Sequence, residues 1–161
     1  MSKINIRPIS IADNPLIATI IRSCLTEFGA NKPGTVYYDK TTDHLFELFQ
    51  KNGAAYFIAE QDGQVVGGGG IFPSPGLPAG TCELVKMYLL PLARGTGIGA
   101  TLMNRCLGKA KEMGFVNMYI ETLPELKKAI SVYEKFGFIY LDNPLGNTGH
   151  FGCSVWMLKS L

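Results

Sequence analysis

Six consecutive residues, Arg94-Gly95-Thr96-Gly97-Ile98-Gly99, carry the strongest chemical signal in this chain. They stand between an apolar run that reads as a strand and a helical stripe. Their backbone amides and the helix N-terminus therefore converge on one place and would cradle an anion. Glycine suits such a loop because a phosphate must approach the main chain closely, and Arg94 can add a charge-assisted contact. A nucleoside-triphosphate loop ends in Gly-Lys-Ser/Thr, whereas Ile98-Gly99-Ala100 stands here, so that reading fails. Gly95, Gly97 and Ala100 satisfy the dinucleotide fingerprint, with Glu121 ending the next strand about 20 residues later. The context does not fit, because residues 90–94 separate the strand from the first glycine and two helices and a hairpin come before it. A tight turn that binds nothing remains the plain alternative.

Other reactive residue types are sparse. Cys24, Cys82, Cys106 and Cys153 lie dozens of residues apart without CxxC spacing and read as reduced thiols, two of them in apolar strand or helix positions. A nucleophilic cysteine would want an activating histidine or a helix N-terminus, and none is expected here. No His/Cys/Asp group has metal-ligand spacing, so no metal is expected either. The stretch NKPGTVYYDK has no periodicity and carries Tyr37 and Tyr38, which makes it either a substrate-facing loop or a connector.

These residues need a scaffold, and 161 residues at 47% hydrophobic and 17% charged suffice for one globular domain spanning 1–161. Fifteen Lys plus Arg against thirteen Asp plus Glu leave a charge of +2, too weak a field for a nucleic-acid partner. The apolar runs at 65–72 and 84–90 fall short of the roughly 20 residues that span a bilayer, so no membrane partner is expected. The N-terminal MSKINIRPI lacks a signal-peptide apolar block, and a cytoplasmic protein is the expectation.

Residues 3–9 read as a strand, and Asp13 and Pro15 open a helix whose apolar residues run from Leu16 to Phe28 and which closes at Gly29. A second helix runs from Thr41 or Thr42 through Phe49 to Asn52-Gly53. Strands at 55–60 and 64–72 flank the Asp62-Gly63 turn as a hairpin, the second holding four glycines, Gly67 to Gly70. Glycine there weakens a strand unless a bulge or a close neighbour or ligand requires it, and a crowding neighbour is the simpler reading. A strand at 81–90, a helix from Gly97 to Gly114, a strand at 115–121, a helix at 124–136 and strands at 138–141 and 153–158 complete the order βααβββαβαββ. The fold class is α/β or α+β, with a mixed sheet between helices.

Residues 83–103, ELVKMYLLPLARGTGIGATLM, resemble the acetyl-coenzyme A motif of the GNAT family of N-acetyltransferases, Gln/Arg-x-x-Gly-x-Gly/Ala, through Arg94, Gly97 and Gly99. A second family motif, alanine four residues before a tyrosine and Gly-Phe four after it, is matched independently by Ala129, Tyr133 and Gly137-Phe138. With the order of elements, the resemblance covers essentially the whole chain. It implies a mostly antiparallel sheet of about seven strands flanked by four helices, and a transferase with acetyl-coenzyme A as cosubstrate. The acceptor would be an unidentified small-molecule or peptide amine, and the protein a monomer or homodimer. A non-catalytic acyl-coenzyme A binding or sensing domain is the alternative.

On that resemblance, the backbone of Met87, Tyr88 and Leu89 would pair with the pantetheine arm where two strands splay. The amides of Arg94, Gly95, Thr96, Gly97, Ile98, Gly99 and Ala100 would hold the pyrophosphate. A neutral amine would attack the thioester carbonyl directly, with the Leu89 amide meeting the oxyanion. Tyr133 would serve the leaving thiolate, unless it is a core aromatic. Glu83 would be the base, or would fix a cationic substrate instead. His150, in a glycine-rich loop, is a substrate contact or merely solvated, and Tyr37, Tyr38 and Phe72 are further candidate substrate contacts. Leu126 stands where relatives often carry asparagine, so one side-chain hydrogen bond to the coenzyme is absent.

Overall fold

In the computed structural model, which describes residues 2–161, the elements follow the expected order. They are β1 (Ile4–Pro8), α1 (Asn14–Glu27), α2 (Leu45–Leu48), β2 (Ala55–Gln61), β3 (Gln64–Phe72), β4 (Thr81–Leu89), α3 (Ile98–Glu112), β5 (Asn117–Thr122), α4 (Lys127–Lys135), β6 (Ile139–Leu141) and β7 (Val155–Ser160). The strands form one seven-stranded sheet in the order β1-β2-β3-β4-β5-β7-β6. Among the described residues only β4 and β5 pair parallel. No helix among them is long and apolar enough to cross a membrane.

The sheet separates two apolar layers. In β2, Tyr56 and Ile58 join the layer of Ile17, Ile21 and Leu25 from α1, while Phe57 between them joins Leu102, Met103 and Cys106 from α3. That alternation is the period of two of a strand buried on both faces. Each such side chain taken fully out of water stabilises the fold by roughly 1.5–3 kcal/mol.

Several boundaries differ from the sequence reading, for local reasons. The expected second helix is α-helical only over Leu45–Leu48, behind a 3-10 turn at Lys40–His44. The Phe46 amide, which an α-helix would pair internally, donates instead to Asn14 Oδ1 of α1, and the Thr42 hydroxyl ties its turn to the Val36 carbonyl. β5 starts at Asn117 rather than 115 because the Phe115 amide still bonds Ala110 at the end of α3. Likewise α4 starts at Lys127 rather than 124, because Leu126 closes a turn on Leu123 and has non-helical backbone angles. β7 lies two residues later than expected, its polar Lys159 and Ser160 pairing with Met118 and Asn117.

Two irregularities of the sheet shape the site. Gly68 pairs with Tyr88 and Gly70 with Val85, so Lys86 and Met87 together oppose Gly69 in a β-bulge. Lys86 takes φ +53°, a left-handed backbone unusual for lysine. The glycine run answers the close approach: a β-carbon at Gly68 would lie 2.6 Å from the Phe57 carbonyl, and one at Gly67 would collide with that of Tyr88. Secondly, β4 and β5 pair only from Thr81–Glu83 to Asn117–Tyr119. Beyond Glu83 the two strands part.

Candidate active site

The strand-to-helix loop forms as its glycines demand. After a 3-10 turn at Pro91–Ala93, Gly95 takes φ +75° and Gly97, the N-cap of α3, takes φ +87°. A β-carbon built on either glycine would meet nothing within 4 Å, so bare main chain faces open space at the positive end of a 15-residue helix. Gly95, Gly97, Gly99 and Ala100 line a cavity of about 540 Å³. Thr96 instead hydrogen-bonds the Ala93 carbonyl at 2.6 Å, and Ile98 is fully buried in the core. The Arg94 guanidinium reaches the cavity wall but is already engaged. It forks onto Glu27 at 2.6 and 3.0 Å and bonds the Leu89 carbonyl at 3.0 Å. Its amide, expected among the pyrophosphate donors, donates instead to the Pro91 carbonyl, and the guanidinium expected to add a charge-assisted contact is paired with Glu27.

The cavity continues into the gap between the parting strands, where Glu83, Met87, Tyr88 and Leu89 of β4 face Ile120 and Glu121 of β5 and Tyr133 of α4. Tyr133 is buried, lies edge-on to Phe138 at 6.1 Å and also lines the cavity, so packing and chemistry are not exclusive roles for it. Burial raises its phenol above the ordinary value. Cys24 and Cys153 line the same space. Burial pushes both thiols up, that of Cys153 to about 12, so neither is a thiolate near neutrality.

At the far end of the gap the fold gathers charges that the sequence scatters. Glu83 is 2% exposed, and its Oε1 accepts a short hydrogen bond from Ser74. Burial, partly opposed by Ser74 and by His150, holds its carboxyl at about 7. His150 is not solvated: Nε2 lies 3.0 Å from Asp39 Oδ2, and Nδ1 lies 3.9 Å from Glu83 and 3.7 Å from Glu121. Burial opposes its charge, but the three carboxylates outweigh burial and push it up to about 9. Glu121 accepts from Tyr119 at 2.7 Å and from Thr148, which with His150 keep its carboxyl below the usual range despite burial. Ligand-type atoms of Glu83, Glu121 and His150 lie within 4.8 Å of one another, a grouping that spacing along the chain did not reveal.

A second cavity of about 120 Å³ shares Glu83, Val85, Lys86 and His150 with the first and extends to Asp39, Phe49, Phe72 and Ser74. Phe72 and His150 thus line one cavity. Tyr37 and Tyr38 line neither cavity. Tyr38 is exposed, and the pair only precedes Asp39, the residue of that loop which does reach the site. Sequence reasoning passed over Asp39, Lys86 and Ser74. Glu121 gave a usable signal, being like Glu83 a lone acid in an apolar strand; Asp39 gave none.

Residues 18–138 match the family model described as the acetyltransferase (GNAT) family. The chain is 45% identical over 157 residues to an uncharacterized N-acetyltransferase, YjgM, of Escherichia coli (strain K12), covering 96% of this chain and 93% of that one. The fold is similar to that of an acetyltransferase of the GNAT family from Staphylococcus aureus, with TM-score 0.81 at 18% identity over 98% of this chain and 99% of that chain. It is also similar to a GNAT superfamily phosphinothricin acetyltransferase from Sinorhizobium meliloti in complex with AcCoA, with TM-score 0.75 at 21% identity over 98% and 88%.

Proposed function

This chain belongs to the acetyltransferase (GNAT) family, and we propose that residues 1–161 act as one domain that moves an acetyl group from acetyl-coenzyme A directly to a primary amine. The bare cradle at Gly95 and Gly97 fits a pyrophosphate, with the amides of residues 95–100 as its donors. Along the gap between β4 and β5, the backbone of Met87, Tyr88 and Leu89 offers unpaired strand edge to the pantetheine arm. The thioester supplies the electrophilic carbonyl. Glu83 takes the proton of the incoming ammonium, directly or through water, and a carboxyl at about 7 is matched to that task near neutrality. The Leu89 amide meets charge developing on the carbonyl oxygen, and the Tyr133 hydroxyl gives a proton or hydrogen bond to the departing sulfur. Thiols held up by burial favour direct transfer over a cysteine-bound intermediate.

The observation that carries this reading is that Glu83 and Tyr133 line one cavity with Gly95, Gly97 and Gly99. Calorimetric titration with acetyl-coenzyme A, beside NADH and ATP, tests it together with an assay of amine-dependent thiol release. One-site binding of the coenzyme alone, with thiol release when amine is added, is the expected result. Folded protein that does not bind the coenzyme would refute the reading, and binding without release for any amine would leave a sensing domain.

A further inference from the structure

We propose that Lys86 binds an acid group of the acceptor, so that the amine this protein acetylates is a small zwitterion carrying a carboxylate or a similar anion near its amino group. The inference rests on the reading that Glu83 meets the acceptor amine.

Residues three apart on a regular strand point to opposite faces. Glu83 and Lys86 are three apart on β4, yet both line the same two cavities. The bulge at Lys86, with its φ of +53°, turns the lysine round to the side of the glutamate. Left-handed backbone is unfavourable for a residue with a β-carbon, and here it delivers an ammonium to the boundary between the cavities.

That ammonium is under-used by the protein. The Lys86 side chain is 5% exposed, and its ion-pair partner, Asp39 Oδ2, is 3.6 Å away, beyond hydrogen-bond reach. The same oxygen already accepts from His150 at 3.0 Å. An ammonium so little exposed and paired only at 3.6 Å has donors to spare, and an anionic group in the smaller cavity would take them up.

Charge balance and size narrow the ligand. Asp39 and Glu121 stand against Lys86 and His150, and Glu83 adds the carboxylate that receives the incoming ammonium. A molecule with one charge of each sign meets a partner for both, whereas a simple alkylammonium meets two cations. The cavity of about 120 Å³ holds the volume of roughly four waters, and Leu48, Phe49 and Phe72 give it an apolar side. A small amino acid fits this description better than a peptide chain does.

The test compares L-alanine and L-leucine with L-alaninamide and L-leucinamide as acceptors, in wild type, Lys86→Met and Lys86→Arg. Aminomethylphosphonate is an added arm that distinguishes a carboxylate from a tetrahedral oxyanion. Losing one buried charge-assisted contact is worth roughly 10- to 100-fold in kcat/KM, and wild type is expected to prefer acid over amide by that factor. In Lys86→Met the ratio should collapse to about one, chiefly through KM, while Lys86→Arg keeps part of it. Phosphonate preferred over the amides would equally support the proposal. Amides matching the acids in wild type, a ratio unchanged in Lys86→Met, or no acetylation of the panel by protein that binds acetyl-coenzyme A would overturn it. The wild-type comparison needs no variant to fold, and coenzyme titration of each variant reports its integrity. Failure of wild type to bind the coenzyme would instead overturn the functional reading, and this inference with it.

Discussion

Asp39 Oδ2 lies 3.0 Å from His150 Nε2, joining two residues 111 positions apart. The contact ties the loop before β7 to the turn that precedes α2, and it aims Nδ1 at Glu83 and Glu121. Three carboxylates therefore surround one imidazole, with the Lys86 ammonium beside them. The charge state of that group links stability to pH.

His150 is pushed from 6.5 to about 9 on folding, so the native state holds a proton that the unfolded chain releases. Its contribution, of order 3 kcal/mol, is full below about pH 6.5 and is lost as pH rises through about 9. Glu83, raised to about 7, is about nine-tenths ionised by pH 8, so between pH 8 and 9 the slope is carried chiefly by His150. Urea denaturation across that window should show wild type weakening more steeply than His150→Gln, whose residual slope comes from the buried thiols that the unfolded chain ionises near pH 9. Equal slopes in both would mean that the imidazole is not charged in the fold.

Glu83→Gln keeps the side chain's shape and a partner for Ser74 but cannot accept a proton. Turnover should fall about 100-fold or more, with coenzyme affinity little changed. In wild type kcat/KM should rise through pH 7 as the carboxyl ionises, and the variant should lack that limb. A pH profile identical in both proteins would remove Glu83 from the proton path.

Tyr133→Phe retains the ring against Phe138 and deletes only the hydroxyl. Donation to the departing sulfur requires a drop in kcat of about 100-fold at constant affinity for acetyl-coenzyme A. Unchanged turnover would leave Tyr133 with packing alone.

Gly97→Ala puts a β-carbon into left-handed backbone and into the open space of the cradle. Gly114→Ala is its control, since Gly114 has φ +88° but lines no cavity. Both should lose roughly 1–2 kcal/mol of stability, measured by denaturation. Only Gly97→Ala should also weaken coenzyme binding, by about tenfold or more in calorimetry. Equal affinities would place the pyrophosphate elsewhere.

Much of this was legible in the linear chain. The order of strands and helices is written in short-range periodicity, and Gly97 and Gly114 mark the ends of α3 by a backbone requirement local to each. The anion loop and Glu83 stood out by residue type and spacing and Tyr133 by the family motif that Ala129 and Gly137-Phe138 complete, and all contribute to one cavity. The extent of α2 was not legible, because the Asn14 side chain takes the Phe46 amide from 32 residues away, outside the helical pattern.

The sequence by itself determined the elements, their order and the loop chemistry, because these depend on neighbours a few residues away. Only the tertiary structure decided who pairs with whom among the charges. Arg94 spends its charge on Glu27, Asp39 rather than Tyr37 or Tyr38 reaches the site, and a single bulged residue turns Lys86 toward Glu83. Such pairings depend on register and on long-range approach, and an extra residue in a strand reverses the face of a side chain without altering the pattern around it.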